Sequence, residues 1–171
     1  MTNMRVVTAP DNLGRNMTRE TWVFLAGGIT DCPPWQDAVI QHLSELEQVY
    51  NLKNVVIFNP RRDDFDVTDE DAAIEQIKWE HRYLEACDLF TVFFSASGSL
   101  QPIALYEMGK YANRKPSVIT VEEGYKRQKD VLVQAALDGI WCGLYDKTFA
   151  KGQHARQIAN TIAFYKKHQF V

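Results

Sequence analysis

The sequence predicts an α/β fold, a parallel sheet of five strands with helices on both faces. Short runs that are apolar at every position alternate with longer amphipathic stretches along the 171 residues. That is the pattern of successive βαβ units with right-handed crossovers. The runs lack polar alternation, as expected of strands covered on both sides. No internal repeat or low-complexity linker divides the chain, and this length suits one domain with a sizeable core, so one domain over residues 1–171 is expected.

Each element has a local signature. Residues 22–26 (WVFLA) read as a buried strand ended by Gly27-Gly28. Residues 34–50 read as a helix, with Pro34 in its first turn and Val39, Leu43 and Leu46 at helical spacing. Residues 54–58 (NVVIF) form the next strand, stopped by Asn59-Pro60. A polar stretch from Arg61 leads into a helix over 71–87, whose expected buried stripe is Ile74, Ile77, Leu84 and Cys87. A strand at 88–94 (DLFTVFF) is followed by a Ser/Gly loop, 95–101, and a helix opened by Pro102 and running to Asn113. A strand at 117–121, a helix at 127–137, a short strand at 139–144 and an amphipathic helix at 152–168 complete the pattern. The first twenty residues are expected to be a loose arm or an edge segment.

Composition narrows the function. The net charge of −3 offers no basic excess for a phosphate backbone, so a small-molecule partner is expected rather than nucleic acid. Three separated cysteines without CxxC spacing fit reduced thiols in the cytoplasm. No apolar stretch suggests a secretory signal or a membrane span. His42, His81, His154 and His168 form no metal-ligand spacing, HExxH is absent, and Ser97-Gly98-Ser99 is not GxSxG. Neither a metal nor a cofactor is expected.

In open α/β sheets, ligands bind outside the carboxyl ends of the strands, where strand order reverses. The loops concerned are Gly27 to Thr30, Asn59 to Asp64, and Ser95 to Gln101. Gly27-Gly28 either admits a substrate close to the backbone or makes a turn of positive φ. Glu80 falls on the expected buried stripe: it either has a raised pKa suited to proton transfer or pairs with Arg61 or Arg62. Glu107 lies in the second turn of its helix, beside the core stripe of Ala104, Leu105, Met108, Tyr111 and Ala112. There the helix N-terminus favours the anion and so a nucleophile, although a helical glutamate is ordinarily solvated. Arg61 and Arg62 either clamp a phosphate or are neutralised by Asp63, Asp64 and Asp66. Trp35 and Trp79 either stack a base or belong to the core.

The order of these segments resembles one known family. Val23 to Ile29, Pro34-Trp35-Gln36, Ile57 to Arg62, Trp79-Glu80, Ala86-Cys87-Asp88 and Gln101 to Gly109 look like the nucleoside 2-deoxyribosyltransferases, over roughly residues 22–145. The resemblance implies a flavodoxin-like, doubly wound sheet. It also implies a glutamate nucleophile, matched by Glu107, that attacks the anomeric carbon of a 2′-deoxynucleoside and releases the base. A second base or water then takes the sugar. Glu80 matches a carboxylate that assists base protonation, where many relatives have aspartate. Gln101 stands where some relatives carry aspartate or serine, a departure that bears on base handling. The expected substrate-binding residues are Gly27, Gly28, Ile29, Trp35, Asn59, Arg61, Asp63, Ser97, Gln101 and Met108. The expected partners are a nucleoside or nucleotide, a free nucleobase, and further copies of the chain in a homo-oligomer. Two other readings stay open: a nucleoside 5′-monophosphate hydrolase on the same site, and a nucleotide-binding module without turnover.

Overall fold

A computed structural model describes residues 3–14, 20–66 and 68–168. The elements follow in the order β1 (Arg5–Thr8), β2 (Thr21–Gly27), α1 (Trp35–Tyr50), β3 (Val55–Asn59), α2 (Glu70–Ala86), β4 (Leu89–Phe94), α3 (Pro102–Tyr111), β5 (Ser117–Glu122), α4 (Gln128–Leu137), β6 (Cys142–Tyr145) and α5 (Ala150–His168). The strands form one parallel sheet of six, in the order β1-β3-β2-β4-β5-β6.

The sheet therefore has one strand more than the five expected. The addition is β1, which pairs with β3 in the register Val6↔Ile57 and lies in the segment read as an arm or edge. Four residues at an edge, three half-covered and Val6 exposed, give neither a long apolar run nor a helix to follow, so the pattern that marks the other strands is missing there. Without β1, the remaining five strands run in the doubly wound order, reversing between β2 and β4.

Alternate residues of each strand feed two cores. Trp22, Phe24, Phe58, Phe90, Val92 and Phe94 meet Trp79 and Tyr83 of α2, Met108 and Tyr111 of α3, and Val131 of α4. On the other face Val23, Leu25, Ile57, Phe93 and Val118 meet Trp35, Val39 and Leu43 of α1 and Ile158 and Ile162 of α5. Strands buried on both faces explain the uninterrupted apolar runs.

The expected stripe of α2 is half corrected. Leu84 and Cys87 are buried, but Ile74 and Ile77 are 48% and 64% exposed, and the inward face is Gln76, Trp79, Tyr83 and Leu84. The aromatic residues set the helix's rotation: Tyr83 stacks on Phe58 at 4.2 Å between ring centroids, and Trp79 lies 6.0 Å from Phe24. Rings of that size bury more area than isoleucines and take the face nearest the sheet. No helix of the described residues is long and apolar enough to cross a membrane.

His154 of α5 is fully buried, its Nδ1 2.9 Å from Thr120 Oγ1 and its Nε2 without a partner among the described residues. Burial against Trp35 and Phe93 pushes its pKa down to about 3. The unfolded chain takes up this proton first, so stability is lost as pH falls from the ordinary histidine range towards 3. His154→Phe should flatten the acid decline, by up to about 1.4 kcal/mol per pH unit in that window. Denaturant unfolding of both chains between pH 7 and pH 4 measures it; parallel stability curves would refute the assignment.

Candidate active site

The connection after β2 leads to α1 on one face, and the connection after β4 leads to α3 on the other. The chain thus splays apart at the carboxyl ends of two adjacent strands, and a cleft opens there. It holds a cavity of about 310 Å³. Its walls come from Phe24 and Ala26 of β2, the loop Gly27 to Thr30, Pro60 after β3, Glu80 of α2, Ser99 and Gln101, and Pro102, Ile103, Ala104 and Glu107 of α3.

Tight backbone packing builds the floor. Gly27 has a φ of 148°, and a Cβ there would lie 2.5 Å from both the Phe93 carbonyl oxygen and the Trp35 ring. A Cβ on Gly28 would run into Cys32 Sγ and the Gln101 side chain. Both glycines are therefore required by the protein's own packing, and both also face the cavity.

Gln101 ties the two loops together. Its Oε1 accepts from Gly28 N at 3.2 Å and Ser95 N at 3.3 Å, and its Nε2 donates to the Ser95 carbonyl at 2.7 Å. These bonds hold the residue at a φ of 51°, a conformation a non-glycine residue adopts only when its surroundings enforce it. Glu122 anchors the same loop from β5, accepting from Ser95 Oγ at 3.0 Å and Ala96 N at 2.8 Å while Lys151 Nζ pairs with it at 2.8 Å.

Two carboxylates, Glu80 and Glu107, are the ionisable groups of the described cavity wall. Glu107 is only 7% exposed, and no described residue donates a hydrogen bond to it. Burial, with the nearby Glu80 charge, pushes its pKa up to about 8, against an opposing pull from Lys110. Burial thus works against the ionised form that the helix N-terminus was expected to favour at Glu107. The dipole's influence fades within the first turn, whereas desolvation acts fully on a second-turn group facing an apolar wall. Burial also raises the Glu80 pKa, partly offset by a hydrogen bond from Gln76. Glu107 thus holds its proton more tightly than a solvated glutamate does, beside a second carboxylate whose pKa is also raised. The pair can supply a proton and an anion at one place.

The remaining residues singled out from the sequence lie around the cavity rather than on its wall. Trp35 is fully buried beneath the floor, stacked on Phe93 at 4.8 Å and donating from Nε1 to the Gly28 carbonyl at 2.9 Å. Asn59 closes β3, and its Oδ1 accepts from Arg61 N at 3.0 Å. Arg61 is a clamp on the loop. Its Nη2 donates to the carbonyls of Ile29, Cys32 and Pro33 at 3.1–3.2 Å, and its Nε donates to Gln36 Oε1 at 2.8 Å. Arg62 sits 3.5 Å from Asp64 and 3.6 Å from Glu75. Asp63 is exposed on the turn after β3. Ser97 Oγ lies 3.3 Å from Cys32 Sγ and accepts from Ser99 N at 3.3 Å, and Met108 belongs to the core. Thr30, Pro60 and Ser99 line the cavity from the three loops expected to bind a ligand, although none was expected as a binding residue, and Phe24, Ala26, Pro102, Ile103 and Ala104 join them from β2 and α3. Gln76, one helical turn before Glu80, also went unnoticed, although an i, i+4 pair of polar side chains on one helix face is a readable signal.

A family model described as "Nucleoside 2-deoxyribosyltransferase like" matches residues 20–125, the stretch that runs from β2 through β5 and carries every wall of the cavity. A search of curated proteins gives no match.

Because the folded-state pKa of Glu107 lies above its unfolded value, its contribution to stability is lost as pH rises from the ordinary glutamate range through about 8. Glu107→Gln should therefore be more stable than the parent at pH 8 and above, by up to about 5 kcal/mol, with the difference closing towards pH 4. Equal denaturation midpoints at both ends of that range would contradict this. Arg61→Lys keeps the charge but cannot serve four acceptors, and should lower stability by about 2 kcal/mol. Thermal unfolding at low and high salt tests it: a loss that vanishes in high salt would mean a charge effect, not a clamp.

Proposed function

The chain belongs to the nucleoside 2-deoxyribosyltransferase-like family, and from that premise we propose that it moves the deoxyribosyl group of a 2′-deoxynucleoside from one nucleobase to another through a covalent ester on Glu107. The observation that carries the reading is the carboxylate pair. Glu107 faces the cavity with no competing hydrogen bond, and Glu80 shares the wall with it.

Cleavage of an N-glycosidic bond builds positive charge on the sugar ring. A carboxylate beside C1′ stabilises that charge and then captures the carbon. The departing base needs a proton, and a pair that holds one near neutrality supplies it, with Glu80 on the base side. The floor at Gly27, Gly28 and Ile29 offers backbone to the sugar and base, and Ile29, Phe24 and Ile103 give the base an apolar surround. The ester retains a reactive glycosyl bond, so an incoming base reverses the sequence.

A neutral nucleoside fits this site better than a 5′-monophosphate. The described wall carries two carboxylates and no lysine or arginine. Arg61, the obvious phosphate donor in the sequence, is committed to carbonyls and Gln36, and Arg62 lies between Asp64 and Glu75. A homo-oligomer is part of the same reading: Ile77 of α2 and Ile103 and Tyr106 of α3 are exposed apolar residues on the two helices that supply the carboxylates.

Incubating the chain with a 2′-deoxynucleoside and an isotopically labelled second base should give the exchanged nucleoside, with little free deoxyribose. Glu107→Ala should abolish base release, and Glu107→Gln should reduce it by roughly 10³-fold or more. Free sugar as the main product would replace the transferase with a hydrolase, and kcat/KM favouring the 5′-monophosphate would replace the nucleoside with a nucleotide as the donor. Binding without any product would leave only a ligand-binding module.

A further inference from the structure

The reading of Glu107 and Glu80 just given leaves open where the pair keeps its proton, and the inference here rests on that reading. Gln76, buried on α2, donates from Nε2 to the Pro60 carbonyl at 2.7 Å and to Glu80 Oε1 at 2.8 Å. The first bond locks the second. Turning the amide over would set its oxygen against the Pro60 carbonyl oxygen, so the group facing Glu80 is held as a donor. The amide keeps this orientation even though its own oxygen has no partner among the described residues. A fixed donor favours the ionised form of the carboxylate it touches.

Glu107 has no such donor. The charged groups that act on it are Glu80 from α2 and Lys110 from its own helix. The described wall residues from β2, from the loop after it, from Pro60 and from the loop before α3 bring no ionisable side chain. Everything that distinguishes the two carboxylates therefore points one way, apart from the pull of Lys110, which the buried position of Glu107 outweighs.

We propose that Gln76 is a positioning residue that holds Glu80 as the anion and so stores the pair's single proton on Glu107 while the site is empty. The nucleophile is thereby masked until a substrate arrives. As the C1′–N bond breaks, its electron pair leaves with the base. The proton of Glu107 passes by way of Glu80 to a base nitrogen, and the freed carboxylate oxygen of Glu107 bonds to C1′. One carboxyl group and one deoxynucleoside give one glutamyl ester and one neutral base, with no outside acid. The accepting base returns its proton along the same route, which leaves Glu107 masked again.

Titration of the intact chain carrying ¹³C-carboxyl glutamate reads both sites without turnover, so it stands whether or not base exchange is found. Glu80→Gln and Glu107→Gln assign the two signals. Glu107 should titrate in the higher step and Glu80 in the lower one. In Gln76→Leu the Glu80 midpoint should rise by about one pH unit or more. The acid limb of kcat/KM, which reports the free enzyme, should move up with it. A loss of mere packing would lower activity at all pH values and leave both midpoints in place. The higher step on Glu80 in the parent chain, or an unmoved Glu80 midpoint in a folded Gln76→Leu, overturns the proposal. If the leucine variant does not fold, the parent titration decides alone.

Discussion

The Glu80 charge opposes ionisation of Glu107 at a cavity that has withdrawn Glu107 from water and Glu80 in part. Neither can be fully ionised there beside an ionised partner without a large electrostatic penalty, so the pair retains a proton that two solvated glutamates would have lost. The same repulsion weighs against the folded state, and the sheet, helices and loops around the cleft must be stable enough to hold the two side chains together. Active sites commonly carry such a burden in return for chemistry at neutral pH.

The surrounding architecture is a set of locks on backbone rather than a set of hands for a ligand. Gln101 bridges the loops after β2 and β4, Trp35 supports the Gly28 carbonyl from below, and Arg61 gathers the carbonyls between Ile29 and Pro33. Each satisfies buried peptide groups that a turn at a strand end would otherwise leave unpaired. Polar residues at the rim of a cleft invite assignment to a substrate. Here their donors and acceptors are largely consumed by the protein, which leaves the carboxylates and the exposed peptide edges to meet whatever enters.

The parallel sheet was legible in the sequence because strands buried on both faces must be apolar throughout, and the boundaries of β2 to β6 lie close to where the apolar runs end. β1 escaped because a short edge strand borrows its stability from β3 and carries no pattern of its own. Position along the chain was enough to place Glu107 and the two glycines on the cleft. The rotation of α2 was not legible: spacing alone favoured Ile74 and Ile77, and the aromatic side chains Trp79 and Tyr83 decided otherwise. The upward pull on the Glu107 pKa was not legible for a related reason. A helix terminus is visible in a sequence, whereas desolvation and a second carboxylate brought in from another helix are properties of the folded chain.

The central claim is that the Glu107 carboxylate stands at the anomeric carbon of a bound deoxynucleoside and bonds to it. Mixing the chain with a 2′-deoxynucleoside, quenching in acid and mapping peptides by mass tests this most directly. A deoxyribosyl ester should appear on the peptide containing Glu107, be absent from Glu107→Gln and be discharged by adding a free base. An ester mapped to another residue, or rapid base exchange with the Glu107 peptide unmodified at every time of quenching, would contradict it.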